Sequence, residues 1–396
     1  MAAWHSGKST GRTVARPMAG MAEPSPRLRG WRLLAGVAMA LLAGCSTIEP
    51  LLENPASLDR DDATLTSEQA EQKARAAARP IDTASLRSSY RRPAELPAGA
   101  HASAPVIALG KKLFDSTELS GNRRIACVSC HLPNAAWADR KAKPIADNGR
   151  PMARRSQTLY DMAWASVFLW DGRQDSLAGM VSGPIASPDI MGLSLDAMVQ
   201  RLAFSPEFSA DFQRVYPDVG PTPETVADAL AGYMNTLRSP ATRFDRWVKG
   251  DDRALTPAEL RGFKLFNGKA NCVACHSGWR FTDEGFRDIG LKDTSDRGRG
   301  RIKPQIESLA FAFKTPTLRG VAERAPYMHD GSIGTLEAII EHYDRGGTRR
   351  PSLSPDMFPL GLSAQEKSDL VAFMRSLSGP ATPAAQTNSD PEVSPQ

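Results

Sequence analysis

The sequence predicts a mainly α-helical protein made of two related halves. Three observations support this prediction: helical spacing of apolar residues in several segments, a cysteine–histidine motif that occurs twice, and a repeated order of short motifs around it. Neither half has the pattern of a sheet protein, and each candidate helix begins near Ser, Thr or Pro. The candidate helices are residues 193–204, 223–237, 257–266, 335–343 and 363–377.

The repeated motif has the form C-x-x-C-H. It reads Cys127-Val128-Ser129-Cys130-His131 in the first half and Cys272-Val273-Ala274-Cys275-His276 in the second. Two cysteines three apart can each form a thioether to a haem vinyl group, and the adjacent histidine can then ligate the iron. The alternative is a zinc knuckle or a redox pair, but structural zinc needs four ligands and neither half supplies a second local pair. The motifs therefore predict two covalently bound c-type haems.

The segments around the haem motifs repeat as well. Gly110-Lys111-Lys112-Leu113-Phe114 precedes the first motif, and Gly262-Phe263-Lys264-Leu265-Phe266 precedes the second. Further along, a T-L pair, an x-D-G turn and a helix start recur at a constant offset of 159 residues. The matched segments are Thr158-Leu159 with Thr317-Leu318, Trp170-Asp171-Gly172 with His329-Asp330-Gly331, and Ser176-Leu177 with Thr335-Leu336. We therefore expect two cytochrome c-like haem domains, residues 96–250 and 251–379.

The connection between the haem motif and the T-L pair is 14 residues longer in the second half than in the first. It contains the Arg- and Gly-rich residues 292–303. We interpret this segment as a solvated loop, and a docking surface for an acidic partner is the alternative.

The N-terminal residues resemble an export signal. An apolar run at residues 33–44 follows three arginines and is too short to span a bilayer. It ends Leu42-Ala43-Gly44-Cys45, which resembles a bacterial lipobox and predicts a lipidated Cys45 after a signal peptide of residues 1–44. An ordinary signal peptide is the alternative. Both interpretations place the protein in the periplasm, and the lipobox interpretation adds a lipid anchor to the membrane.

Polar segments flank the predicted haem domains. Residues 45–95 are rich in Ala, Pro and Arg and predict a flexible tether, although residues 66–78 have helical potential. Residues 380–396 predict a disordered tail. Residues 1–44 hold six of the 49 basic and one of the 44 acidic residues, so the remaining chain carries 43 of each. This neutral balance gives no reason to expect nucleic-acid binding.

The sixth iron ligand decides whether a haem reacts with peroxide or only transfers electrons. Candidates in the second half are Met328, His329, His342 and Tyr343. In the helix from Thr335, Tyr343 shares one face with three apolar residues, whereas His342 lies about 100° away. Periodicity alone allows two roles for Tyr343, a core aromatic or an iron ligand, and it favours the core aromatic.

These residues resemble the bacterial di-haem cytochrome c peroxidase/MauG superfamily. The resemblance rests on the two haem motifs together with residues 168–173, 315–319 and 325–331, and it covers about residues 105–378. It implies a high-spin, peroxide-reacting first haem and a second haem with two axial ligands. Tyr343 stands at the position of the axial tyrosine of MauG-type enzymes. Trp170 matches the family's tryptophan between the haems, and His329, its counterpart in the second repeat, is expected near them.

The sequence departs from the family at several positions. Asp147 stands where the peroxidases have a histidine that blocks the first iron, which implies an open iron here. Ile190 and Met180 occupy the positions of a distal Glu and Gln, and Asp189 is a substitute acid if the alignment shifts by one residue. Arg155 replaces the Asn that binds an inter-domain Ca²⁺, so we expect that calcium site to be weakened or missing.

The resemblance implies an enzyme that uses H₂O₂. Its partner would be a small periplasmic electron-donor or substrate protein, such as a cytochrome or a copper protein. The alternative is a non-catalytic di-haem electron-transfer or sensing lipoprotein, which the apolar Ile190 and Met180 favour.

Overall fold

The computed structural model describes residues 65–379. The predicted signal peptide, Cys45 and the predicted tail of residues 380–396 lie outside the described residues. The α-helices are α1 (Ser67–Ala78), α2 (Thr83–Ser89), α3 (Ala104–Asp115), α4 (Cys127–Cys130), α5 (Leu177–Ala186), α6 (Leu195–Phe204), α7 (Pro206–Val215), α8 (Pro223–Asn235), α9 (Arg243–Val248), α10 (Pro257–Asn267), α11 (Leu336–Asp344) and α12 (Ala364–Ser376). Two short antiparallel strands, β1 (Phe286–Arg287) and β2 (Phe313–Lys314), form the sheet of this part of the chain. The prediction of a mainly α fold is confirmed.

The five candidate helices are present as α6, α8, α10, α11 and α12. Each begins after a Ser or Thr whose side-chain oxygen accepts a hydrogen bond from a backbone N–H of the first turn. These capping residues are Ser194, Thr222, Thr256, Thr335 and Ser363. Within residues 65–379, no helix is both long enough and apolar enough to cross a bilayer.

The first hydrophobic core is built around the crossing of α3 and α8. Gly110 allows the two backbones to meet, since a Cβ at this position would lie 1.8 Å from the carbonyl oxygen of Ala229. Apolar side chains of α5, α6 and α7 pack against this pair, including Val181, Leu202 and Phe212. Of these helices, α3, α5 and α8 line a cavity beside the first C-x-x-C-H motif.

The second core repeats this crossing with α10 and α12. A Cβ on Gly262 would lie 2.0 Å from the carbonyl oxygen of Asp369, so a glycine is needed at the same place in both halves. Phe244 and Trp247 of α9 belong to this second core, although they precede the predicted domain break at residue 250. The packing therefore changes from the first core to the second before α9.

The internal repeat is confirmed by the backbone. The bridge between Phe168 and Gln174 recurs between Tyr327 and Ile333, at the same offset of 159. The 3₁₀ turn Met162–Trp164 recurs as Val321–Glu323. Left-handed φ angles recur too, 67° at Leu169 and 69° at Met328. Both x-D-G turns therefore have the same conformation.

The prediction of a flexible tether is wrong for residues 65–95. α1 and α2 pack against the second core, and Tyr90 is only 1% exposed. The Tyr90 hydroxyl donates to Oδ1 of Asn267 at 2.7 Å, and its ring stacks on Phe281 at 5.0 Å. The segment carries few large apolar groups, but one buried tyrosine and two capped helices are enough to fix it on a surface supplied by the second half.

The long loop of the second half contacts the first half. Arg299 donates from Nη1 to the carbonyl oxygens of Asp171 (2.9 Å) and Gly172 (2.5 Å). The neighbouring Arg301 and Lys303 are exposed. The loop is thus partly solvated, as expected, and also holds the turn that carries Trp170.

Candidate functional site

The first C-x-x-C-H motif forms the short helix α4 and the residue after it. Nδ1 of His131 lies 3.0 Å from the backbone carbonyl oxygen of Trp137. Because a carbonyl only accepts, Nδ1 carries the proton and Nε2 presents its lone pair. Burial lowers the pKa of His131, which favours this neutral form. The motif therefore fits a covalently bound haem with His131 as its axial ligand.

The second motif has the same arrangement. Cys272–Ala274 form a 3₁₀ turn, and Nδ1 of His276 lies 2.8 Å from the carbonyl oxygen of Phe281. Burial lowers the pKa of His276 to about 4, so the imidazole is neutral. Both histidines are oriented by a backbone carbonyl five or six residues later, and both leave Nε2 for iron.

A cavity of about 660 Å³ lies beside the first motif. Cys127, Cys130 and His131 line it on one side, and the α5 region lines it on another. Its size falls in the usual range of ligand and cofactor sites, about 300–1,000 Å³. The cavity and the histidine orientation together fit a haem with room for a small reactant.

The three residues that the resemblance relates to the distal acid and amide positions lie around this cavity. Met180, Ile190 and Asp189 all line it. The side chains of Met180 and Ile190 also pack with the first core, whereas Asp189 is exposed. The two residues that the resemblance aligns with the family's distal Gln and Glu are thus apolar, and Asp189 lines the same cavity and remains a candidate acid.

Asp147 points away from the cavity. Its carboxylate accepts the backbone N–H groups of Asn122 at 2.6 Å and Arg124 at 3.1 Å, and the residue is 2% exposed. It therefore holds the loop before the first haem motif. Between His131 and His276 the sequence contains no histidine that could approach the first iron.

Sequence reasoning missed a group of methionines around the same cavity. The thioether side chains come from separate segments, so no local pattern marks them. They belong to Met152, Met162, Met180, Met191 and Met234. Thioethers are polarizable and can also ligate iron, so the spin state of the first haem reports directly on whether one of them does.

An aromatic cluster joins the two halves. The indole N–H of Trp170 donates to the carbonyl oxygen of Arg155 at 2.9 Å. The ring of His329 lies edge-on to Trp170 at a centroid distance of 6.4 Å and stacks on Phe313 at 3.5 Å. Trp170 also lines the first cavity. The cluster brings Trp170 and His329 together, and Phe313 is a member that the sequence did not indicate.

The α11 helix presents Tyr343 to the second haem motif. Leu336 and Ile340 are buried in the second core, and Ile339 and Tyr343 pack against it. Burial raises the pKa of the Tyr343 phenol, and the nearby Cys275 and Cys272 raise it further. Tyr343 therefore lies beside the haem attachment site, as its helical face predicts.

The imidazole of His342 contacts a different part of the chain from the phenol of Tyr343. Its Nε2 lies 2.8 Å from the carbonyl oxygen of Ile289, which holds the imidazole against a neighbouring loop. Its ring is edge-on to Tyr343 at 5.6 Å. The two neighbours thus face different surroundings, and the geometry favours Tyr343 over His342 as a candidate ligand.

Arg155 joins the halves at the position of the expected calcium ligand. Its Nη2 donates to the carbonyl oxygens of Asp139 and Arg324, both at 2.8 Å. The guanidinium of Arg155 thus bonds to a carbonyl of each half, and the weakened or missing calcium site stays a prediction.

Comparisons with known proteins agree with this geometry. The family model described as di-haem cytochrome c peroxidase matches residues 104–253, and the cytochrome c model matches residues 260–378. The methylamine utilization protein MauG of Methylorubrum extorquens is 43% identical over 310 residues, which cover 77% of this chain and 87% of that protein. The cytochrome-c peroxidase IdrP1 of Denitromonas iodatirespirans is 34% identical, with 72% and 85% covered.

The fold has a counterpart among solved structures. A MauG-like protein associated with microbial copper homeostasis superposes with a TM-score of 0.67 at 27% identity, covering 73% of this chain and 93% of that one. With two haem motifs in two repeated halves, and with relatives of these two kinds, the chain belongs to the di-haem cytochrome c peroxidase/MauG superfamily and is a peroxidase-type oxidoreductase with two covalently bound c-type haems.

Proposed function

We propose that the first half is the peroxide-reacting half, and that oxidising equivalents pass through Trp170 to the second half. The observation that carries this proposal is the cavity beside His131, which borders Trp170 and contains no second histidine among its lining residues. Haem bound there would supply the redox chemistry with H₂O₂. The chain's own residues then determine access, proton supply and the route of electrons.

Cys127 and Cys130 would attach the first haem, and His131 would ligate its iron through Nε2. Cys272, Cys275 and His276 would do the same in the second half. Tyr343 would complete the second site from α11. A phenolate is a hard anionic donor, so it favours ferric and higher oxidation states of iron. In this arrangement the second half holds oxidising equivalents and the first half generates them.

The residues aligned with the distal acid and amide of the first site cannot supply a proton. Cleavage of the O–O bond needs a group that moves a proton to the distal oxygen, and such help typically contributes about 10²–10⁴-fold in rate. Ile190 and Met180 cannot provide it. Asp189 lies at the same cavity and is the candidate acid, so we propose a reaction that is slower than in relatives with a distal Glu.

The partner would be a small periplasmic protein. It would either donate electrons, as a cytochrome or copper protein does, or have one of its own side chains oxidised. The protein would act in the periplasm, held to the membrane through the lipid on Cys45. The second candidate function, a non-catalytic electron carrier or sensor, is favoured by the apolar Ile190 and Met180.

Stopped-flow mixing of the ferric protein with H₂O₂ tests the proposal. EPR of the resting protein should show a high-spin first haem, and peroxide should change the spectra of both haems without prior reduction. Trp170→Phe should slow the change at the second haem while leaving the first intact. Trp164→Phe is the matched control, because Trp164 also lies between the halves but packs against Trp279 at 5.1 Å.

Three outcomes would count against the proposal. A low-spin first haem would mean that a methionine or another group caps the iron. A protein inert to peroxide would favour the electron carrier. Equal slowing by Trp164→Phe and Trp170→Phe would remove Trp170 as the specific relay.

A further inference from the structure

Two buried arginines at the first haem cavity lack an anionic partner. Arg155 is 4% exposed and Arg324 is 6% exposed, and both line the cavity. Neither forms an ion pair within the described residues, and the Nε of each has no hydrogen-bond partner there. Their Nη groups donate to backbone carbonyls, Arg155 to Asp139 and Arg324, and Arg324 to Thr317.

The other buried cations of the same cavity are compensated. Arg154 pairs with Asp171 at 2.7 Å and with Asp296 at 2.6 Å. Arg280 pairs with Glu284 at 2.9 Å, and Lys314 lies 3.8 Å from the same carboxylate. Arg155 and Arg324 are therefore exceptions in a site where the protein otherwise supplies an acid for each buried base.

The two guanidiniums also repel one another. Burial and the charge of Arg155 lower the pKa of Arg324 to about 10, which still leaves it protonated at neutral pH. Asp139 and Glu323 attract the pair only from beyond ion-pair distance. Placing two like charges in a buried site is unfavourable unless an anion compensates them. Because no carboxylate of residues 65–379 forms an ion pair with either arginine, a bound anion is what would compensate the two charges.

We propose that Arg155 and Arg324 bind the propionate carboxylates of the first haem. A haem carries two carboxylates, which match the two uncompensated charges, and the guanidinium N–H fork is well suited to a carboxylate. Both arginines line the cavity that His131 and Cys127 also line, and the Nε of each is without a hydrogen-bond partner among the described residues. This inference depends on the first half holding a haem and does not depend on the peroxide reaction proposed above.

The pair also connects the haem to the aromatic cluster. The backbone N–H of Arg155 donates to the carbonyl oxygen of His329 at 2.9 Å, and its own carbonyl accepts from Trp170. The residue that binds a propionate would therefore also fix both rings between the halves. Arg324 lies close enough to His276 to influence its pKa, so the pair sits between the two haem sites.

Resonance Raman spectroscopy and redox titration of the two-haem protein test this assignment. Arg155→Met and Arg324→Met should each shift the propionate bending bands. Each should also lower the midpoint potential of the first haem, because a positive charge stabilises the reduced state. The lysine variants of both residues keep the charge and should retain part of the wild-type potential. Intact mass confirms that each variant carries two haems.

Arg173→Met is the matched control. Arg173 lines the same cavity, but its side chain is 45% exposed and is already paired with Asp171. Its loss should leave the propionate bands unchanged. The proposal is overturned if the Arg155 and Arg324 variants resemble Arg173→Met, or if only the second haem responds. Should the methionine variants fail to fold, unchanged first-haem propionate bands in both lysine variants, or a shift confined to the second haem, overturn it. A shift of the first-haem propionate bands in the lysine variants supports it.

Discussion

The two halves share one backbone plan but differ in the helix that follows the x-D-G turn. The offset of 159 residues places α5 of the first half opposite α11 of the second. Tyr343 then corresponds to Pro184, and Ile339 corresponds to Met180. Pro184 lines the first cavity and has no donor atom in its side chain. The comparison shows a phenol in the second half at the place where the first half has a proline, and this is the difference that the two proposed roles require.

The halves also differ in what surrounds their cores. The second core includes α1, α2 and the residues up to Tyr90, which come from the far end of the described chain. The first core has no such addition among residues 65–379 and instead borders the large cavity. The half whose core includes residues of α1 and α2 is thus the one with the candidate second iron ligand, and the half beside the cavity is the one with space for a reactant.

Removal of one attachment motif at a time should give the largest effect. Cys127→Ala/Cys130→Ala and Cys272→Ala/Cys275→Ala should each lose one haem, which intact mass spectrometry measures. The first double variant should lose the reaction with H₂O₂, and the second should keep it. Cys45→Ala is the control and should keep both haems. If loss of the second motif alone abolishes the peroxide reaction while the first haem remains bound, the assignment of roles is reversed.

An acid restored in the first cavity should give the next largest effect. Ile190→Glu supplies a proton carrier at the distal position, so the rate of the peroxide reaction should rise by about 10²–10⁴-fold. Stopped-flow absorbance of the ferric protein measures it. Ile190→Gln is the control, since it is polar and of similar size but cannot release a proton.

The substitution Asp189→Asn tests whether Asp189 is the acid of the wild-type reaction. If Asp189→Asn abolishes the wild-type reaction and Ile190→Glu gives no gain, Asp189 is the acid and the alignment is shifted by one residue. If neither substitution changes the rate, the proton comes from solvent or from another group at the cavity.

The sequence was informative where the constraints are local. The haem motifs have a fixed spacing, the five helix starts carry Ser or Thr caps, and the faces of α11 follow from 3.6 residues per turn. The repeat was visible because matched residues keep one register over 159 positions. Helices α7 and α9 were not predicted, and α9 has only six residues, too few for a periodic signal.

The remaining features depend on contacts between distant segments. The Tyr90–Asn267 hydrogen bond joins residues 177 apart, and the contact of Arg155 with Arg324 joins residues 169 apart. A polar segment with one tyrosine resembles a tether until a surface exists on which the tyrosine is buried. Likewise, the five methionines of the cavity become neighbours only after folding.

The positions of Tyr343 and His342 on α11 predict a spectral effect for one substitution and none for the other. Tyr343→Phe removes the phenol oxygen and should change the optical and EPR spectrum of the second haem. His342→Ala is the matched control and should not, because His342 is bonded to the carbonyl of Ile289. A spectral change in His342→Ala alone would contradict the helical-face argument.

Pro184→Tyr introduces the phenol at the equivalent place in the first half. It should move the first haem towards a tyrosine-ligated spectrum and slow its reaction with H₂O₂. Pro184→Ala controls for the loss of the proline ring. Unchanged reactivity in Pro184→Tyr, with the haem in place, would show that position 184 does not face the iron as position 343 does.

The smallest expected effect concerns the segment that ends at Tyr90 and packs on the second core. Tyr90→Phe removes the hydroxyl that donates to Asn267, which is 1% exposed. The Oδ1 of Asn267 then has no replacement donor among residues 65–379, and an unsatisfied buried acceptor costs about 1–3 kcal/mol in the free energy of unfolding. The ring remains, so its contacts with Phe244, Phe263 and Phe281 are kept. Calorimetry should therefore show a lower Tm, because hydrogen bonding is lost while apolar packing is retained.

Tyr216→Phe in the first half is the matched control. The Tyr216 hydroxyl also donates to a side chain, Oδ2 of Asp228 at 2.6 Å, but this bond is exposed to solvent. Water can replace the lost hydroxyl, so the change in the free energy of unfolding should stay below about 1 kcal/mol. A larger loss in Tyr90→Phe than in Tyr216→Phe means that residues 65–95 are an integral part of the second core. Equal and small losses would mean that the segment docks there without contributing to stability, as a tether would.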